Sequence, residues 1–111
     1  MKVFELAESL ELKLFAGADG LEKEITGGYS SDLLSDVMGH ATAGQLWITI
    51  QTHMNVLAIA SRKELSAIII AKGLTPDHGT IEYGNLEKIA VLGTKDENFE
   101  ITGKIYQLLR K

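Results

Sequence analysis

Three short apolar runs, rich in β-branched residues, mark the second half of the chain. They are Leu46-Trp47-Ile48-Thr49-Ile50, Ala67-Ile68-Ile69-Ile70-Ala71 and Ile89-Ala90-Val91-Leu92. Their starts, at positions 46, 67 and 89, are almost evenly spaced, and each run precedes a stretch compatible with a helix. Continuous apolar runs without polar alternation belong to strands covered on both faces, the situation that βαβ crossovers create. The spacing leaves room only for compact crossovers. The pattern predicts three neighbouring parallel strands, Leu46–Ile50, Ala67–Ala71 and Ile89–Leu92, with helices on both faces of the sheet.

The stretches between the runs carry helix signals. Val56, Leu57, Ile59 and Ala60 form one apolar face, with Arg62, Lys63 and Glu64 near its end. Thr75-Pro76-Asp77 offers a cap-like residue, a proline suited to a first turn and an acid favoured there. Gly84-Asn85 reads as that helix's stop. Thr94-Lys95-Asp96-Glu97 fits a capping box. The last helix is expected to turn Phe99, Ile101, Ile105, Leu108 and Leu109 inward and to end on Arg110-Lys111, which suits the C-terminal dipole. Gly103 in its middle weakens it by about 1 kcal/mol relative to alanine, which close packing on a strand would explain.

The first half is less regular. Val3 to Leu10 resembles a short amphipathic helix. Leu12–Phe15 and Leu21–Ile25 alternate in part and are joined through Gly17-Ala18-Asp19-Gly20, which predicts a small hairpin. Gly27-Gly28 reads as a glycine-rich turn, and Ser31-Asp32 as the cap of a helix to about Met38 that buries Leu33, Leu34 and Val37. The expected fold is α/β, one three-layer domain over residues 1–111, with a short parallel core and a smaller hairpin-like N-terminal part.

Composition narrows the class. A chain of 111 residues that is 45% hydrophobic has enough apolar material for an unaided core. Cysteine is absent, so disulfides and thiolate metal sites are excluded. No apolar stretch matches a secretory signal or a membrane span, which leads to the expectation of a cytoplasmic protein without membrane contact. The net charge of −4 argues against general affinity for nucleic-acid backbones. The seven aromatic residues do not interleave with basic ones as a stacking platform would.

In open parallel sheets ligands bind beyond the carboxyl ends of the strands. That edge should gather Gln51-Thr52-His53, Lys72-Gly73-Leu74-Thr75 and Gly93-Thr94-Lys95, joined by Gly27-Gly28-Tyr29-Ser30-Ser31-Asp32. Glycine N–H groups, helix N-termini, hydroxyls and lysines together can hold an anion. The candidate ligand residues are Gly27, Gly28, Ser30, Ser31, Asp32, Gln51, Thr52, His53, Lys72, Gly73 and Thr75. The plainer alternative is that the glycines turn the chain and the hydroxyls cap helices. Neither GxxxxGK[ST] nor GxGxxG occurs. His40, His53 and His78 lack metal-ligand spacing, so no metal site or cofactor is expected. Asp32 and Asp36 fall four apart; on one helix they would share a face able to take Mg²⁺ or act as acid and base, or simply a solvated face. No serine has a nucleophile-elbow context. Trp47 reads as core.

The stretches ITGGYSSDLLSDVM (25–38), GQLWITIQTHMNVLAIA (44–60), IIIAKGLTPD (68–77) and TKDENFEITGKIY (94–106) resemble the DRTGG domain family over almost the whole chain. The namesake double glycine is met at Gly27-Gly28, whereas Lys72-Gly73 stands where relatives tend to have a second one. The resemblance implies the architecture of the N-terminal domain of HPr kinase/phosphorylase. It also implies a role beside catalytic or CBS domains rather than a catalytic one, self-association as a homodimer, and a protein partner in a redox or metabolic enzyme system. The leading expectation is a non-catalytic regulatory module that senses an anionic or nucleotide-like small molecule. The alternative is a small enzyme, or a partner-completed catalytic subunit, acting on a phosphorylated substrate through Thr52, His53 and the aspartates.

Overall fold

The computed structural model describes residues 1–110. Its centre is a five-stranded sheet built from β1 (Lys13–Ala16), β2 (Gly27–Ser30), β3 (Gln45–Thr49), β4 (Ala67–Ile70) and β5 (Ala90–Gly93), in the spatial order β1-β5-β4-β3-β2. The four strands β2 to β5 are parallel, and β1 closes the far edge antiparallel to β5. The three expected core strands are neighbours in the expected orientation.

Alternation along these strands divides the core into two layers. Trp47, Ile68, Ile70 and Val91 face α2 (Leu34–His40), α3 (Asn55–Lys63) and α4 (His78–Glu87). Leu46, Ile48, Ala67, Ile69, Ala90 and Leu92 face α1 (Val3–Ser9) and α5 (Asn98–Leu109). Both faces are apolar because both are covered, and so polar alternation is missing from the sequence. Val56, Leu57, Ile59 and Ala60 are all buried, as their spacing predicts.

The N-terminal region departs from the hairpin. Its first segment becomes β1, but Leu21–Ile25 is not a strand and contributes only the isolated bridge between Lys2 and Glu24. The connection is drawn under the start of β5 instead. Gly17 has φ 76°, and its N–H donates to Asn85 Oδ1 at 2.7 Å. A Cβ on Gly17 would lie 1.9 Å from the Ile89 carbonyl oxygen. Such an approach demands glycine and sends the chain toward α1 rather than back along β1.

Helix ends also shift. Ser31 and Asp32 do not cap α2; the helix starts at Leu34, and Leu33 is exposed rather than buried. Helix α4 follows Asp77 and runs past Gly84-Asn85 to Lys88, whose φ of 58° ends it. Gly84 serves packing, because a Cβ there would meet Val91 and Ala16 at 3.1–3.2 Å. Helix α5 is capped at Glu97, three residues beyond the expected Thr94, with the Glu100 side chain accepting from the Glu97 N–H at 3.2 Å. Ile101 and Ile105 are buried, but Phe99 is 89% exposed. Gly103 has open space where a Cβ would stand, so close packing does not account for it. Lys111, the second of the two terminal cations, lies outside the described residues.

Candidate functional site

The carboxyl ends of β2 to β5 form one edge, and the polar groups there are largely engaged with one another. Gly27 and Gly28 are not a turn: they lie in β2, paired with Gln45 and Leu46, and neither has positive φ. Ser30 and Ser31 follow at the strand end. The Ser31 carbonyl accepts from the Trp47 indole N–H at 2.8 Å, which satisfies the one polar atom of that fully buried core side chain. Ser31 Oγ accepts from the Leu33 N–H at 3.2 Å, and Ser30 Oγ lies 3.3 Å from Thr102 Oγ1 on α5.

Asp32 fastens this loop to the next one. Its Oδ1 accepts from the buried Thr49 hydroxyl and from the Ile50 N–H, both at 2.8 Å, and its carbonyl accepts from Gln51 Nε2 at 3.0 Å. The Thr52 carbonyl accepts from the Asp77 N–H at 3.0 Å and the Thr80 hydroxyl at 2.7 Å, tying the β3 loop to the start of α4. His53 is exposed, and its Nδ1 accepts from the Asn55 N–H at 3.2 Å. The N–H groups of Lys72 and Gly73 donate to the Asp96 and Thr94 carbonyls, each at 2.8 Å. Lys72 and Gly73 both have left-handed φ, 64° and 68°, which turns these donors toward the β5 loop. The Lys72 ammonium stands 3.8 Å from Glu97.

Asp32 and Asp36 do not share a helix face, because Asp32 precedes α2. Asp36 instead accepts from the Tyr29 hydroxyl at 2.9 Å and stands 3.2 Å from His40 Nδ1. Hydrogen bonds from Ser31 and Tyr29, with a smaller contribution from His40, hold its carboxyl below the usual range. Desolvation and the same carboxylate push the Tyr29 phenol up. The described residues contain no group of three or more His, Asp or Glu side chains placed to hold a metal ion.

Open space at this edge lies between the ends of β4 and β5. The β4 loop leads to α4 on one face of the sheet and the β5 loop to α5 on the other, so the two connections part company there. Divergence of this kind opens a crevice at strand ends. It measures about 460 Å³, and a separate hollow of about 390 Å³ lies at the opposite edge. Gly73 and Thr75, both expected, line it with Thr94, Lys95, Lys13 and Lys104. The Lys104 ammonium lies 2.7 Å from Asp96, and that hydrogen bond raises its pKa. Lys13 and Lys104 escaped sequence reasoning because nothing in the pattern places β1 beside β5 or orients α5; the named Gly93-Thr94-Lys95 turn was the available signal.

No protein-family model and no curated protein matches the chain. Among solved structures the chain resembles the CBS and DRTGG domains of the regulatory region of a Clostridium perfringens pyrophosphatase, solved with its activator diadenosine tetraphosphate. The TM-score is 0.68 at 14% identity, over 95% of this chain and 45% of that one. This chain therefore spans less than half of that neighbour. The likeness supports a DRTGG/CBS-type fold and does not extend to the HPr kinase similarity. No helix among the described residues is long and apolar enough to cross a membrane.

Proposed function

We propose that this chain is a non-catalytic regulatory module of DRTGG type that binds an anionic, nucleotide-like small molecule at the carboxyl edge of its sheet. The observation that carries this reading is the crevice between the diverging β4 and β5 loops. Three lysines, Lys13, Lys95 and Lys104, outnumber the two acids, Glu11 and Asp96, in its lining, in a chain whose net charge is −4. A fold shared with a regulatory region crystallised with a nucleotide activator supports the same reading. The two aspartates named for the enzyme alternative are engaged within the chain: the Asp32 carboxylate holds the β2 and β3 loops together and Asp36 is tied to Tyr29 and His40, so a ligand there would have to displace those bonds.

The module also self-associates in this proposal, through α5. Phe99 and Tyr106 are 89% and 62% exposed and lie seven residues apart on one stripe, with the open Gly103 between them. Glu100 lies in the first turn of this helix and Arg110 just past its end, so an antiparallel second copy would meet opposite charge. A protein partner from a metabolic or redox enzyme system, resting on the sequence resemblance, and a cytoplasmic setting, expected from the sequence itself, belong to the same proposal.

A thermal-shift screen of nucleotides and phosphorylated metabolites, run beside light scattering, tests the proposal. The expected result is stabilisation by polyanionic compounds and a dimer mass at micromolar concentration. Stabilisation by none of them would remove the ligand reading, and a strictly monomeric mass across a hundredfold dilution would remove self-association.

A further inference from the structure

We infer that the β4–β5 crevice takes a nucleoside polyphosphate, with the base against Phe15 and the phosphates between Lys13 and Lys95. This inference rests on the regulatory-ligand reading above and names its ligand class and contacts.

Phe15 is placed by an irregularity in the sheet. Lys13 pairs with Gly93 and Leu14 with Leu92, but Ala16 pairs with Val91, so Phe15 is the extra residue of a bulge. A bulge turns a side chain away from its normal alternation. Here Phe15 joins Ala16 on the side of α4. Its ring occupies the space beside Gly93, where a Cβ would fall 2.3 Å from Phe15 Cε2. Any larger residue at position 93 would evict the ring. The outcome is a half-buried aromatic side chain in the wall of a polar crevice at the strand ends.

The lining carries more cations than acids, Lys13, Lys95 and Lys104 against Glu11 and Asp96. Lys104 is neutralised by Asp96 at 2.7 Å. Lys13 and Lys95 form no ion pair among the described residues. The Lys13 ammonium stands 4.9 Å from the Phe15 ring centroid, and Lys95 lies along the Gly73 turn, its Cγ 3.9 Å from where a Gly73 Cβ would be. An ammonium resting on an aromatic face is a weakly held cation that can turn to a phosphate and yield the face to a base. The volume falls within the range of small-molecule sites. A simple phosphate would use the lysines and leave the ring idle; a nucleotide uses both.

The test is a titration of the ¹⁵N-labelled full chain with ATP, tripolyphosphate and adenosine, following amide shifts and Kd. ATP should move the Phe15, Gly93 and Lys95 amides and bind roughly tenfold tighter than tripolyphosphate, as base stacking on an aromatic ring implies. Lys95→Ala should weaken ATP several-fold, an effect that shrinks with added salt. Phe15→Leu should erase the preference for ATP while tripolyphosphate still binds. Equal affinity for ATP and tripolyphosphate overturns the stacking. If ATP instead moves Ser30–Asp32 or Gln51–His53 and ignores Lys95→Ala, this crevice is the wrong site while the anionic-ligand reading stands. If no probe binds at millimolar concentration, the nucleoside polyphosphate assignment is wrong, and the wider anionic-ligand reading falls only with the thermal-shift screen.

Discussion

Replacing Asp32 by alanine separates a structural from a ligand-binding role at the β2–β3 loops. The Asp32 carboxylate accepts from the Thr49 hydroxyl and the Ile50 N–H, both at 2.8 Å. Hydrogen bonds to a charged group each contribute about 1.5–3 kcal/mol, but Asp32 is exposed, and water can replace it at the Ile50 N–H. Thr49 is fully buried, so its hydroxyl proton would be stranded at a cost of about 1–3 kcal/mol. The expected loss is about 2 kcal/mol, roughly 10 °C in Tm for a domain of this size. Asp32→Asn keeps an acceptor and should lose about half of that. Thr49→Val removes the stranded donor together with the acceptor of the Gln51 N–H at 3.1 Å, so in the Asp32→Ala background it should cost less than it does alone, giving a coupling of about 1 kcal/mol. Urea unfolding of the two single variants and the double variant, without ligand, reads these values. A loss below about 0.5 kcal/mol for Asp32→Ala, additive with Thr49→Val, would refute the reasoning and return Asp32 to the pool of ligand contacts.

Gly17→Ala should destabilise by at least about 3 kcal/mol, since it adds left-handed strain to a backbone collision at Ile89, and urea unfolding will read it. Gly103→Ala meets no atom within the chain and should raise monomer stability by about 1 kcal/mol, yet weaken dimerisation if α5 faces its copy; unfolding and sizing at matched concentrations separate the two effects. Phe99→Ser with Tyr106→Ser should give a folded monomer by light scattering and circular dichroism. The Asp36 carboxyl has its folded pKa depressed, so its contribution is present above the unfolded value of about 3.9 and lost as pH falls through the folded value. Asp36→Asn should therefore flatten the acid limb of a stability profile, and an unchanged limb would contradict the Tyr29–Asp36–Ser31 contacts.

The parallel core was legible because burial on both faces leaves a direct trace, an apolar run without alternation, at positions 46, 67 and 89. The α3 face was legible for a similar reason: Val56, Leu57, Ile59 and Ala60 repeat at helical spacing and are all buried. The N-terminal part was not, because Gly17 and Gly20 act through close approach to the backbone of Lys88, Ile89 and Ala90, more than 60 residues away, and look locally like hairpin glycines. Ser31 and Asp32 carry a strong local cap signal, yet tertiary partners on β3 take the carboxylate. Lys72-Gly73 was rightly placed at the edge, but its N–H groups face the β5 loop rather than open space. The crevice joins residues from β1, β4, β5 and α5, and only the sheet order brings them together.

The most direct test of the regulatory reading asks whether a nucleotide is bound and returned unchanged. Equilibrium dialysis of the purified chain against ATP with Mg²⁺, followed by mass spectrometry of both chambers, measures binding and turnover at once. The expected result is saturable retention of intact ATP, reduced in Lys95→Ala, with no product above a protein-free blank. Product that accumulates with the wild-type chain and vanishes in Thr52→Ala or His53→Ala would contradict it and make the strand-end loops catalytic.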